Sequence, residues 1–175
     1  MLPSLRLAAA VAALRPQAAP LAGVWFRAIN PRFAATALSA AHTRHVRSRF
    51  GAGHLLPALH RFEMLYFAET PVVAMFEVGA MIGSALRPGA SMPHPAATFL
   101  VLNVSVQLSN WIDLTRTVNR QQVATTFEEL TGDWESYYFR GTLAQGALAA
   151  PARTAPTQDL GQALYHCPGA PLDGF

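Results

Sequence analysis

The chain has 175 residues, of which 51% are hydrophobic and 13% charged, enough for one domain with its own core and too apolar for a disordered chain. All 13 basic residues are arginine, the net charge is +3, and there is one cysteine, Cys167. A lone cysteine excludes an internal disulfide and a cysteine-based zinc site, and it fits a reduced, cytoplasmic setting.

In chain order, residues 1–20 read as a loosely structured leader ending at Pro20. Its Ala-rich run carries Arg6 and stops at Arg15-Pro16, a poor signal peptide. Residues 23–29, GVWFRAI, read as a strand because β-branched and aromatic residues dominate. Residues 31–61 read as irregular, with a short helix near 34–41 and a loop at Gly51-Ala52-Gly53. Basic residues gather at 44–61, with His42, His45, His54 and His60 interleaved. Charge alone leaves a nucleic-acid patch and a solvated loop equally open there, and no nucleic-acid motif is present.

Residues 63–68 read as a second strand. Thr70-Pro71 then supplies a helix N-cap and a proline at the first helical position, for a helix reaching residue 81 or 84. Residues 71–86 are nearly all apolar. That is shorter than the ~20 residues of a spanning helix, and Glu77 interrupts it, so a buried helix of a soluble protein is expected. Residues 87–95 read as loop, 98–108 as a strand by their alternation, and 111–114 as a further short strand. Residues 117–130 read as one amphipathic helix stopped by Gly132, and 157–165 as a last helix capped by Thr157. Residues 142–156 have no clear period. No repeat is present, and the mixed order of elements predicts an α+β fold.

Three residues point to chemistry. Glu77 lies among apolar residues on its helix, so it must be paired, protonated or facing a cleft. A structural ion pair with an arginine and a functional carboxylate are both open readings. Tyr66, on the preceding strand, lines the same cleft or is a core aromatic with its hydroxyl satisfied. Arg27, inside an apolar strand, needs an anionic partner, either a protein carboxylate or a ligand phosphate. Arg49 is a weaker, loop-borne version of that case. No Gly-rich phosphate loop follows a strand, no Gly-x-Ser-x-Gly elbow exists, and the histidines lack metal-ligand spacing with nearby carboxylates.

Together these residues resemble the RES family, named for an Arg, a Glu and a Ser. Val24-Trp25-Phe26-Arg27-Ala28-Ile29 resembles its opening strand, and Ser48-Arg49-Phe50 its next signature. The central signature is a strand Tyr followed eleven residues later by the family Glu, as in Tyr66 and Glu77. Leu130-Thr131-Gly132-Asp133-Trp134 and residues 155–161 are also similar. The resemblance covers residues 22–175, and residues 21–175 are expected to form the RES-type domain.

The resemblance implies an ADP-ribosyltransferase-like split β-sheet with flanking helices, gripping NAD⁺ as a substrate without a metal. It implies an NAD⁺ glycohydrolase or phosphorylase, or an ADP-ribosyltransferase, acting as the toxin of a bacterial toxin–antitoxin pair. The expected partner is an Xre-like antitoxin, with no direct nucleic-acid or membrane contact. Arg27 and Arg49 would bind the pyrophosphate, with Tyr66 and Glu77 at the reacting end. In the family a Ser-bearing segment and a final strand follow the position of Gly174-Phe175, where this sequence ends. A C-terminally incomplete domain is therefore expected, with an inactive RES-like binding protein or remnant as the alternative.

Overall fold

The computed structural model describes residues 4–14, 18–78, 98–132, 134, 154–169 and 172–175. Two long strands, β1 (Ala19–Ile29) and β2 (Leu100–Trp111), pair as a two-stranded antiparallel sheet. The described helices are α1 (Ser4–Leu14), α2 (Pro71–Glu77), α3 (Thr117–Gln122), α4 (Phe127–Thr131) and α5 (Pro156–Tyr165). Helices beside a small sheet agree with the α+β expectation; the described residues reach no further towards a split sheet. Among them no helix is long and apolar enough to cross a membrane.

The chain divides into two compact units. The first comprises residues 1–21, 40–64 and 108–175. Its core is helical: Leu7, Val11 and Leu14 of α1 are fully buried with Ile112, Val123, Leu160 and Leu164. Spacing of four and three residues puts the α1 set on one face, and α1 packs on α5 and α3. The expectation of a loosely structured segment at 1–20 is thereby corrected over Ser4–Leu14. These residues are helical because their three large apolar side chains share a stripe that the core takes up.

Two further expectations fail in this unit. The single helix at 117–130 is two, α3 and α4, broken at Ala124, whose φ of 49° is left-handed. Thr126 restarts the chain with a capping box: its hydroxyl accepts the Glu129 N–H at 3.2 Å, and the Glu129 carboxylate accepts the Thr126 N–H at 3.2 Å. The strand expected at 111–114 does not form either. Trp111 ends β2, and Ile112 and Leu114 instead enter the core. Beside that end the Asp173 carboxylate accepts the N–H groups of Ser109 and Asn110 at 2.7 and 2.9 Å. Gly174 there forms a parallel bridge to Trp111.

The last helix is also capped differently from the expectation. Ala155 is the N-cap of α5 and Thr157 lies one step inside, buried. Gln158 does the capping, its side-chain oxygen accepting the Ala155 N–H at 2.9 Å.

The second unit comprises residues 22–39 and 65–107. Residues 63–68 make no second long strand. One antiparallel bridge joins Phe26 to Ala68, with reciprocal N–H to carbonyl bonds of 2.8 Å. Thr70 caps α2 as its sequence predicts, its hydroxyl accepting the Val73 N–H at 3.2 Å, with Pro71 first in the helix. The described core here is small: Ala28, Ala68 and Ala74, with Phe26 and Met75 against it. The predicted continuation of α2 to residue 81 or 84 and the loop at 87–95 lie outside the described residues. So does most of the stretch at 142–156.

Candidate functional site

Arg27 is the best-defined candidate. β1 carries it into the second unit, half-buried, between Phe26 and Ala28. Its Nε donates to the Ala37 carbonyl and its Nη1 to the Tyr66 carbonyl, each at 3.0 Å. Two carbonyls fix the guanidinium plane without neutralising its charge. Among the described residues no carboxylate pairs with it, so the protein-carboxylate explanation for this arginine gains no support. Burial lowers the Arg27 pKa from the ordinary arginine value, though a guanidinium keeps its proton in proteins. The result is a fixed, partly desolvated cation, the arrangement that recognises a phosphate or carboxylate.

The same hydrogen bonds bring Tyr66 beside Arg27 through its backbone, and the Tyr66 residue is half-buried. Two residues on, Ala68 closes its bridge to Phe26, and the chain turns through Thr70 into α2. Glu77 is the last residue of α2, seven positions beyond the cap, or about 10 Å along the axis.

Its surroundings correct the sequence reading. Glu77 is exposed, and so are Val72, Val73, Phe76 and Val78; only Ala74 of α2 is buried. The expectation of a carboxylate inside an apolar sheath required the whole helix to be covered, and the described residues do not cover it.

Arg49 belongs to the first unit and has a structural task. Its Nη1 donates to the carbonyls of Leu130 and Gly132 at 3.0 and 2.6 Å. These lie at the C-terminal end of α4, where helix carbonyls lack partners and a cation is favoured. The other arginines of the 44–61 stretch are also engaged. Arg44 faces Glu63 at 3.9 Å, and Arg47 sits 5.7 Å from the Trp134 ring centroid. Arg61 donates to the carbonyls of Leu56 and His54. These internal contacts leave the nucleic-acid reading of this stretch without a structural observation in its favour.

Sequence reasoning overlooked two residues that hold the Ser48–Arg49–Phe50 signature. Gln158 is 1% exposed, and its Nε2 donates to the carbonyls of Ser48 and Gly51 at 2.8 and 3.4 Å. Gly161 lies so close to the Phe50 carbonyl that a Cβ there would collide with backbone. The loop closes on itself as well: Ser48 N–H donates to the Gly51 carbonyl, and Gly51 N–H to the Ser48 hydroxyl. A Gln in the first turn of a helix with a bare Gly one turn later was the available signal. Among the described residues no group of three or more His, Cys, Asp or Glu converges as a metal site.

Comparisons with curated proteins and with solved structures return no match. The RES domain family model matches residues 24–175, nearly the whole chain, and takes in Arg27, the 48–50 loop, Tyr66 and Glu77. The chain therefore belongs to the RES domain family.

Proposed function

We propose that this RES-domain protein breaks down NAD⁺ in the cytoplasm as the toxin of a bacterial toxin–antitoxin pair. Breakdown is by hydrolysis, by phosphorolysis or by transfer of ADP-ribose to a protein. The single observation that carries the reading is Arg27, a half-buried guanidinium fixed by two carbonyls with no described carboxylate beside it. Its N–H groups beyond those two bonds suit the NAD⁺ pyrophosphate, and Arg49 helps to bind it, as the family resemblance implies. Tyr66 packs against the nicotinamide. Glu77 orients the nicotinamide ribose and stabilises the positive charge that develops at its anomeric carbon as nicotinamide leaves. Water, phosphate or a protein side chain then captures the sugar, and no metal takes part. An Xre-like antitoxin closes the pocket in the paired state.

The exposure of Glu77 favours one rival reading, a RES-like binding protein that holds NAD⁺ without turnover. Mixing the purified protein with NAD⁺ and following nicotinamide release separates the two. The proposal expects release, reduced by at least ~100-fold in Glu77→Ala, as for loss of a charge-stabilising group. Equal rates for wild type and Glu77→Ala would remove Glu77 from the mechanism. Saturable NAD⁺ binding with no nicotinamide released would establish the rival.

A further inference from the structure

His60 and His166 are 106 positions apart in sequence, yet their ring centroids lie 6.0 Å apart at an interplanar angle of 72°. Each is held by its own element. His60 ends the short 3-10 turn Ala58–His60, which its N–H closes on the Pro57 carbonyl at 2.8 Å. His166 is the C-cap of α5, its N–H donating to the Gln162 carbonyl at 3.0 Å. The His166 ring is directed at His60: its Nε2 lies 3.5 Å from the His60 carbonyl oxygen. An aromatic group supports it. Tyr165 meets His166 edge-on at 5.0 Å and stacks on Phe62 at 4.7 Å, 16° from parallel. Both imidazoles are exposed, so an ion reaches them without opening the core.

We infer that His60 and His166 form a two-histidine site for a borderline transition-metal cation such as Zn²⁺ or Cu²⁺. Imidazole nitrogens bind zinc at about 2.0–2.1 Å, which places the centroids of two rings on one tetrahedral ion roughly 5 Å apart. Closing from 6.0 Å asks less than an ångström of exposed side chains with free rotamers. The His60 carbonyl and water complete the coordination, because among the described residues no group of three or more His, Cys, Asp or Glu converges there. Such a site suits a staple rather than a buried structural centre. It ties the Ala58–His60 turn to the end of α5 and takes no part in the chemistry proposed above. Nearby Arg61 directs its guanidinium to the Leu56 and His54 carbonyls and to His45 Nδ1. His45 and His54 therefore serve as controls for adventitious binding.

Titration of the full chain with Zn²⁺ alone, followed by calorimetry and by thermal unfolding, tests the inference. The expected result is one site in the micromolar range. With Zn²⁺ at ~100-fold over its dissociation constant, the midpoint should rise by several degrees. Either His60→Ala or His166→Ala should weaken binding at least ~10-fold and abolish the rise, while His54→Ala changes neither. Equal binding in wild type and both variants overturns the inference, as does loss of binding in His54→Ala alone or no binding below millimolar Zn²⁺. Because both side chains are exposed, the variants should fold, and circular dichroism without metal checks that they do.

Discussion

The two compact units of this chain are built on different physics. The first buries five large aliphatic side chains almost completely, Leu7, Leu14, Ile112, Leu160 and Leu164. Each contributes about 1.5–3 kcal/mol of burial. The second, among its described residues, has a contiguous core of three alanines, buries Ile29 and Ala37 besides, and leaves Val24, Val72, Val73 and Phe76 more than 40% exposed. What holds its geometry is directional: the pairing of β1 with β2, one reciprocal backbone pair between Phe26 and Ala68, two carbonyls on Arg27, and one hydroxyl at the start of α2. Three of the four proposed site residues, Arg27, Tyr66 and Glu77, belong to this second unit. Stability and the proposed chemistry thus draw on different parts of the sequence. The fourth, Arg49, ties its signature to the end of a helix in the better-packed unit.

The largest effect that could break this contrast is a cavity in the first core. Leu160→Ala is expected to cost about 3–5 kcal/mol in chemical denaturation, since the side chain is fully buried within a contiguous cluster. The matching change in the second unit, Ala74→Gly, removes one methyl and adds backbone entropy, about 1 kcal/mol in total. Equal costs for the two would mean that the contrast is false.

The same contrast explains what could be read in the sequence. β1, the Thr70-Pro71 start of α2 and β2 were legible because their signals are local: a β-rich run, a cap with proline, an alternation. The partial burial of Arg27 was legible because the residue lies between Phe26 and Ala28 in an apolar strand. The first helix was hidden because alanines dilute the stripe of Leu7, Val11 and Leu14, which acquires meaning only against α5 and α3. The break at Ala124 was hidden by an apolar period that runs through it, although Thr126 and Glu129 stand at capping-box spacing. Burial of Glu77 was the reverse error, since apolar neighbours in sequence say nothing about what covers them. Arg49 looked like a free loop arginine because its carbonyl partners lie more than eighty residues later in the chain.

A smaller effect sharpens the directional side of the contrast. α2 has seven residues, so it does not sustain itself, and Thr70 satisfies one of its orphan N–H groups. Thr70→Ala should cost about 1 kcal/mol, felt locally as faster hydrogen exchange at Val73 and Ala74. Thr70→Ser should restore protection. Unchanged exchange in the alanine variant would mean that burial, rather than the cap, sustains α2.

The smallest effect concerns charge at the edge of the better-packed unit. Asp159, half-buried in the first turns of α5, has its pKa raised from the ordinary aspartate value. Burial is the larger cause, and the Thr154 hydroxyl, donating at 2.5 Å, works against it. A carboxyl whose pKa rises on folding is harder to ionise in the folded chain than in the unfolded one. Its penalty is fully present above the folded pKa and disappears below the unfolded value near ~4. Through this group alone, stability rises as pH falls through that window, opposite in sign to a carboxylate stabilised by a salt bridge. Asp159→Asn keeps an oxygen for Thr154 and removes the charge, so it should stabilise slightly at neutral pH. Partial exposure screens the term, and the gain should stay within about 0.5 kcal/mol. Denaturation of both proteins across the acid range should show the two midpoints converging as Asp159 protonates. A constant difference would mean that the Thr154 hydrogen bond cancels desolvation, and one that widens in acid that it outweighs desolvation and that Asp159 stabilises α5 in its charged form.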